Sequence, residues 1–455
     1  MEGMMSDEAP VVVTEQLARD AANRRYADLP EPARLVARQC VLDYFAVAIA
    51  GAGEPLARML HDEMAEAGGA EQASVIGQPT RLPSVSAALV NGAAAHALDY
   101  DDVAIAMPGH PSVAILPGLL ALAEQKKACG RELITGFVAG YETACRIGAA
   151  LQPGHYDLGF HATGTVGTFG AAAACARLLG LPAAATAVAL GIAGTQAAGL
   201  KSQFGTMCKP LHAGKAAQNG LLAALLAARG FTGRRDIVEC EQGFAATHGR
   251  DLTAAAALAD PPGGFHILAN LFKYHAACYF THAPIECTRR LRESHALSPQ
   301  AVTRMVLRID AGTDRVCNIR TPTDGLESKF SLRQTIAMAL AGLDTASLGA
   351  YSEHSARDPF LTGLRERLVI EFQNGWPQTL AELEIELDNG QRVVTRHDAG
   401  RAADDIVAQG RRLADKFDAL VEPLLGPARS RELRETILAL DDIADIGTLA
   451  RLAAA

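Results

Sequence analysis

The stretch NGAAAHALDYDDVAIAMPGHPSVAILPGLLAL, residues 91–122, places His96, Asp99, Asp101, Asp102 and His110 between two apolar, alanine-rich flanks. Both flanks have the composition of buried helix, because alanine is the best helix former and lets neighbouring backbones approach. Ionised carboxylates and imidazoles in such surroundings cost on the order of several kcal/mol each unless they are paired or put to use. The cluster therefore reads as a site. Pro108, Gly109 and Pro111 bracket His110, which predicts that its imidazole is carried on a loop and not within regular helix.

The same habit runs through the whole chain: 455 residues, 49% hydrophobic and only 5% aromatic, with alanine supplying much of the apolar share. That length exceeds one ordinary core and predicts two or three domains, a large helical body among them. The net charge of -9, with no basic run, argues against nucleic acid as a partner. The acidic start MEGMMSDEAP lacks the basic-then-apolar pattern of a secretory signal, and no apolar run reaches membrane-spanning length. A cytoplasmic chain with no membrane partner is the expectation. Nine scattered cysteines without a C-x-x-C pair fit a reducing compartment and disfavour a metal site. The nearest ligand-like set, Cys278, His282 and Cys287, reads as packed side chains.

Outward from the cluster, helical periodicity is expected over residues 14–50, 55–67, 115–127 and 133–150, with an extended piece, ASVIGQPTRLP, at 73–83. In GHYDLGFHATGTVGTFGAAAACARLLG (154–180), Gly159, Thr163, Gly164, Thr165, Gly167 and Gly170 form a small-residue run opening into an alanine helix, with His161 just before it. Such a run either cradles an anion on backbone N–H groups or lets two helices approach, and the second reading is the commoner. Lys209, Pro210 and His212 are expected on a connection before a helix starting near Gly214, with Met207, Cys208 and Leu211 turning the lysine toward a pocket. Lys273 in FKYHAACYFTHAPIE (272–286) has the same character. Two lysines, several histidines and the acidic cluster together predict a polyanion-binding active site assembled from separated loops.

Beyond about residue 300 the pattern changes. RMVLRID (304–310) and RLVIEF (367–372) read as strands, 380–398 as a hairpin turning at Asp388-Asn389-Gly390, and Lys329 to Gly342 as a helix between them. From about Ala402 the pattern is helical again. The pattern predicts a mainly α chain with a small α+β domain of about 120 residues, and a C-terminus that returns to the helical body.

With these segments placed, the chain resembles the MmgE/PrpD family. The likeness is carried by HALDYDD (96–102) with GHPS (109–112), GFHATGTVG (159–167), KPLHAGKAAQNG (209–220), KYHAACYFTH (273–282) and GLESKFS (325–331), in that order over residues 30–440. The family groups 2-methylcitrate dehydratase, cis-aconitate decarboxylase and iminodisuccinate epimerase. The resemblance implies homodimers that use neither a metal nor an organic cofactor, and a mainly α fold: a large all-helical domain built from both chain ends, 1–270 and 400–455, joined to a smaller α+β lid domain, 271–399. By similarity to the decarboxylases the catalytic positions fall on Asp99, His110, His161, Lys209 and Lys273. Substrate contacts are expected from Lys209, Lys273, His212, Cys278 and Thr163. The chain departs from the decarboxylase pattern at Val103, where the motif has threonine, at Cys278, where it has histidine, and near Val316 or Cys317, where it has tyrosine. Each change removes a polar contact to substrate. The long insertion of the dehydratases around the aspartate cluster is absent.

All the family's reactions change bonds at a carbon next to a carboxylate and pass through an enolate-like carbanion, which preorganised cations stabilise best in a dry site. The expected roles follow: Lys209 and Lys273 hold substrate carboxylates and meet the developing charge, His110 and His161 move protons, and Asp99 orients a histidine or lysine. Competing structural readings assign Asp101 and Asp102 to helix capping, Lys329 and Glu327 to an interdomain ion pair, and Tyr279 and Phe280 to the core. A lyase is the first expectation and an epimerase the second. A catalytically silent carboxylate binder is the third, and the presence of both proton-moving histidines argues against it.

Overall fold

The computed structural model describes residues 12–454. It is mainly helical, and the described residues divide into two compact units, one formed by 12–97, 101–270 and 421–454 and the other by 98–100 and 271–420.

The first unit contains α1 (Val13–Asn23), α2 (Glu31–Gly51), α3 (Pro55–Ala67), α4 (Ser84–His96), α5 (Pro111–Lys126), α6 (Gly130–Leu151), α7 (Ala162–Leu178), α8 (Ala183–Gly194) and α9 (Cys208–Ala228). The periodicity over 14–50 is split into α1 and α2, because Pro30 caps α2 in extended conformation and no helix runs through it. Residues 73–83 fold as a short antiparallel pair, β1 (Ala73–Ser74) with β2 (Arg81–Leu82). Among the described residues no single helix is long and apolar enough to cross a membrane.

Helices α4, α5 and α7 each pack on α9, and α5 also packs on α4 and α7. Small residues make that packing close. A methyl group on Gly92 of α4 would stand 2.8 Å from Gly214 Cα of α9, and one on Gly167 of α7 would stand 2.6 Å from Ala114 Cβ of α5. Apart from Gly159, the glycine/threonine run thus lies inside α7, with Thr163, Gly164, Thr165, Gly167 and Gly170 all buried, and serves helix approach. Gly214→Ala is expected to destabilise by roughly 1–3 kcal/mol, since its methyl would overlap the Leu89 carbonyl oxygen and force α4 and α9 apart. An unchanged urea midpoint would show that the crossing yields freely.

In the second unit α10 (His282–His295) packs on a four-stranded sheet of β3 (Val302–Asp310), β4 (Leu368–Gln373), β5 (Leu380–Leu387) and β6 (Arg392–Asp398). The order is β4-β3-β5-β6; β3 and β4 are parallel, and the other pairs are antiparallel. Alternation explains β5: Leu383, Ile385 and Leu387 point inward, while Glu382 and Glu384 face out and pair with Arg308 of β3. The hairpin turns through Gly390 at φ +80, as its Asn-Gly pair predicts. The parallel β3-to-β4 connection carries α11 (Leu332–Ala341) and α12 (Pro359–Glu366). The expected start of α11 at Lys329 moves to Leu332, because the Ser331 hydroxyl caps it by accepting the Gln334 N–H.

The next helix, α13 (Ile406–Leu425), is shared between the units after Leu420, and α14 (Pro427–Leu438) and α15 (Gly447–Ala453) belong to the first. The chain's return to the first unit thus falls at Val421, later than the 399/400 boundary expected from composition, which registers the end of strand pattern and not where a helix packs.

Candidate active site

Three helices of the first unit begin at chemically active side chains. Pro111 at the start of α5 holds His110 in extended conformation, φ -120 and ψ 92, as the capping residue. His161 takes the same place on α7, φ -91 and ψ 99, and its backbone N–H donates to Gly199 O at 3.0 Å. Lys209 is the second residue of α9 and His212 lies a turn further on, so the expected connection before Gly214 is already helix. Pro210 is tolerated there because first-turn N–H groups have no intrahelical acceptor.

These segments converge within the unit. The His96 ring, at the last residue of α4, lies 4.6 Å from that of His110 and 5.8 Å from that of His161, centre to centre. His161 Nδ1 and His212 Nδ1 are 3.1 Å apart, so one carries the shared proton and the other accepts it. Phe204 stands edge-on to His161 at 5.0 Å, with Lys209 Nζ 5.4 Å from its centre. The positive ends of α5, α7 and α9, together with the Lys209 ammonium, make this locality attractive to an anion.

Asp101 is the buried hub. His96 Nδ1 donates to its two oxygens at 3.0 and 2.9 Å, and His110 Nδ1 lies 3.0 Å from Oδ2. Although burial opposes its charge, the His110 and His96 imidazoles hold its carboxyl well below the usual carboxylate range. Burial pushes His96 down to about 4, and it drives His161 well below the ordinary imidazole value, with His96 and Lys209 adding to that effect. Burial and then Lys209 lower His212 as well. His96, His161 and His212 are thus neutral rings at pH 7, able to accept protons.

His96, Asp101 and His110 are also metal-ligand types, with donor atoms inside 4.8 Å of one another.

Asp102 has a different role. Its carboxyl accepts from Ser112 N at 3.3 Å and from Ser112 Oγ at 2.6 Å, capping the first turn of α5. Burial, and then the Asp43 carboxylate, push it up to about 8. Its folded value is raised, so the stability it contributes is complete below its unfolded value near 4 and is lost as pH rises through about 8. Asp102→Asn is therefore expected to gain on the wild type by roughly 5 kcal/mol between pH 4 and pH 9. Parallel urea midpoints for the two proteins across that range would show that the carboxyl titrates normally.

In the second unit Lys273, 1% exposed, donates from Nζ to Asp99 O at 2.5 Å and lies 3.1 Å from Asp99 Oδ1. Asp99 itself has φ +50, a left-handed conformation that non-glycine residues adopt only when held. Lys416 holds both strands of this contact, donating to Tyr100 O at 2.7 Å and to Lys273 O at 2.9 Å. Cys278 and Cys317, the two departures in this unit, are buried neighbours, and hydrogen bonding to Cys317 lowers the Cys278 thiol. All nine cysteines are free thiols.

The expected residues thus fall into two groups: His110, His161, Lys209 and His212 in the first unit, Asp99, Lys273 and Cys278 in the second. Thr163, expected to touch substrate, is fully buried, and its hydroxyl oxygen accepts the His110 backbone N–H at 3.0 Å, so it fixes the loop. The Glu327 carboxylate accepts from Thr323 N and Oγ1 at 2.6 and 2.8 Å, and Tyr279 and Phe280 are only half-buried. The sequence reading gave His96 and Asp101 no catalytic role, although both stand in the opening cluster. Lys416 carried no signal, lying in an ordinary amphipathic helix.

The MmgE/PrpD N-terminal domain matches residues 15–255 and the MmgE/PrpD C-terminal domain residues 275–442. A cis-aconitate decarboxylase of Aspergillus terreus (strain NIH 2624 / FGSC A1156) is 26% identical, with 97% of this chain and 95% of its own length aligned. Cis-aconitate decarboxylase of Homo sapiens is 29% identical over 83% of this chain and 81% of its own length. That of Mus musculus is 28% identical over 91% and 88%. With both domains matched in order, this chain belongs to the MmgE/PrpD family.

Proposed function

We propose that the protein is a cofactor-independent lyase acting at a carbon next to a carboxylate of a small di- or tricarboxylate, by decarboxylation or dehydration. One observation carries the reading: the imidazoles of His110, His161 and His212 and the Lys209 ammonium gather at the starts of α5, α7 and α9. Such a place attracts a carboxylate and can move a proton beside it. The similarity to cis-aconitate decarboxylases supports the lyase class.

In decarboxylation the C–C bond to the carboxyl breaks, CO₂ leaves, and the electron pair stays on the neighbouring carbon until a histidine returns a proton. In dehydration a histidine removes the proton next to the carboxylate, the C–O bond breaks, and the hydroxyl leaves as water after protonation. Lys209 meets the negative charge in both. Lys273, with Asp99 orienting it, is assigned to a second carboxylate on the strength of the KYHAACYFTH and HALDYDD motifs. The homodimer implied by the resemblance and the cytoplasmic setting expected from the scattered cysteines belong to the same proposal.

Incubation in D₂O with cis-aconitate, 2-methylcitrate and iminodisuccinate, followed by NMR, tests the reading. A lyase forms an unsaturated product, and deuterium enters at the carbon next to the carboxylate when the step is protonation. Exchange into iminodisuccinate without loss of a group would move the protein to the epimerases. No turnover and no exchange with any of the three would end the proposal.

A further inference from the structure

We propose that Asp101 is a positioning residue of the reaction, its one carboxylate holding His96 and His110 in the same tautomer. His110 Nε2 is then the proton-carrying atom, and His96 Nε2 receives a hydrogen bond from a hydroxyl or protonated carboxyl of the substrate. The inference rests on the reading that these imidazoles serve a carboxylic-acid reaction, and it assigns parts to two residues beyond the lysines and histidines already named.

The geometry favours one bonding pattern. A carboxylate only accepts, so the His96 Nδ1 that donates to Asp101 carries hydrogen, and the His110 Nδ1, 3.0 Å from the same carboxylate, carries one when it bonds there; a neutral ring so held keeps its lone pair on Nε2. Which ring nitrogen is free is therefore decided by Asp101 and not by the solvent. His96 is 1% exposed, and its Nε2 is buried with no hydrogen-bond partner among the described residues. A buried acceptor left unmatched costs about 1–3 kcal/mol, so its retention beside His110 and His161 points to a donor that arrives with a ligand. The polar tip of a hydroxy acid, or of a carboxyl that carries its proton in a water-poor site, is such a donor; a fully ionised carboxylate is not.

Asp101→Asn tests the assignment, because an amide offers one accepting oxygen and one donating nitrogen and can hold only one of the two rings as Asp101 does. With ¹⁵N-labelled histidine, assigned through His96→Gln and His110→Asn, the wild-type spectrum at pH 7 should show both rings protonated at Nδ1. In Asp101→Asn at least one ring should switch to Nε2–H, with kcat lower by about 10²–10⁴-fold and KM within about threefold. His96→Gln should lower kcat by about 10-fold or more while the melting temperature stays close to that of the wild type. Nε2–H on either ring of the wild type would overturn the proposal. So would one tightly held divalent ion per chain with metal-shifted ring nitrogens, or Asp101→Asn turnover within about threefold of wild type. If Asp101→Asn does not fold, the wild-type tautomers and His96→Gln kinetics still decide. If none of the acids reacts, the fault lies with the proposed function, and the tautomer spectra, which need no substrate, still judge Asp101.

Discussion

Asparagine in place of His110 is expected to slow turnover by about 10²–10⁴-fold while the fold persists. The expectation comes from where the residue sits. His110 caps α5, with Pro111 as the first helical residue and its own N–H donated to Thr163 Oγ1 at 3.0 Å. Asparagine is among the best residues at a capping position, so the helix start and the backbone hydrogen bond both survive the change. What goes is the proton-carrying ring that Asp101 holds. Stopped-time NMR of substrate loss, beside thermal melts of both proteins, separates chemistry from stability. Activity within about threefold of the wild type would remove His110 from the mechanism.

Lys209→Met should have an effect of similar size and a different form. Methionine keeps an apolar stem while discarding the charge. Loss of a carboxylate partner should raise KM, and loss of a cation facing the carbanion should lower kcat, for a combined fall in kcat/KM of roughly 10³-fold. The pH profile supplies an independent sign. The Lys209 charge adds to the burial that lowers His161 and His212, so its removal lets both rings rise toward the ordinary imidazole value. The acid limb of kcat/KM should then move to higher pH, because the accepting rings become protonated sooner. The shift is partial, since burial, the larger cause, remains. An acid limb that does not move, with KM unchanged, would show that Lys209 neither binds the acid nor bears on the histidines.

The small-residue run of α7 follows the commoner of its two readings, close helix approach. Backbone N–H groups of the glycines and threonines were one option for holding an anion, yet these residues are spent on close helix packing. The anion-attracting feature lies at His161, where the helix begins. Lys209 repeats the point: its helix starts at Cys208, so the lysine gains the positive end of α9, which a loop position could not supply.

Local pattern was enough for much of the fold. Alanine-rich periodicity made the helical unit legible, alternation and Asn389-Gly390 made β5 and β6 legible, and the motifs singled out His110, His161, Lys209 and Lys273, of which the first three stand in one unit. These features depend on spacing along the chain, which the sequence carries. The partners within HALDYDD do not. Asp99 turns through a left-handed φ of +50 and meets Lys273, Asp101 is clasped by two imidazoles, and Asp102, next to it, caps α5 through Ser112. Three like residues within four positions thus acquire one ion pair, one proton-positioning role and one raised carboxyl, because a single tight turn aims each at a different neighbour. Only tertiary structure supplies those neighbours: burial and the identity of the facing side chain set a carboxylate's chemistry, and both come from residues distant in the chain.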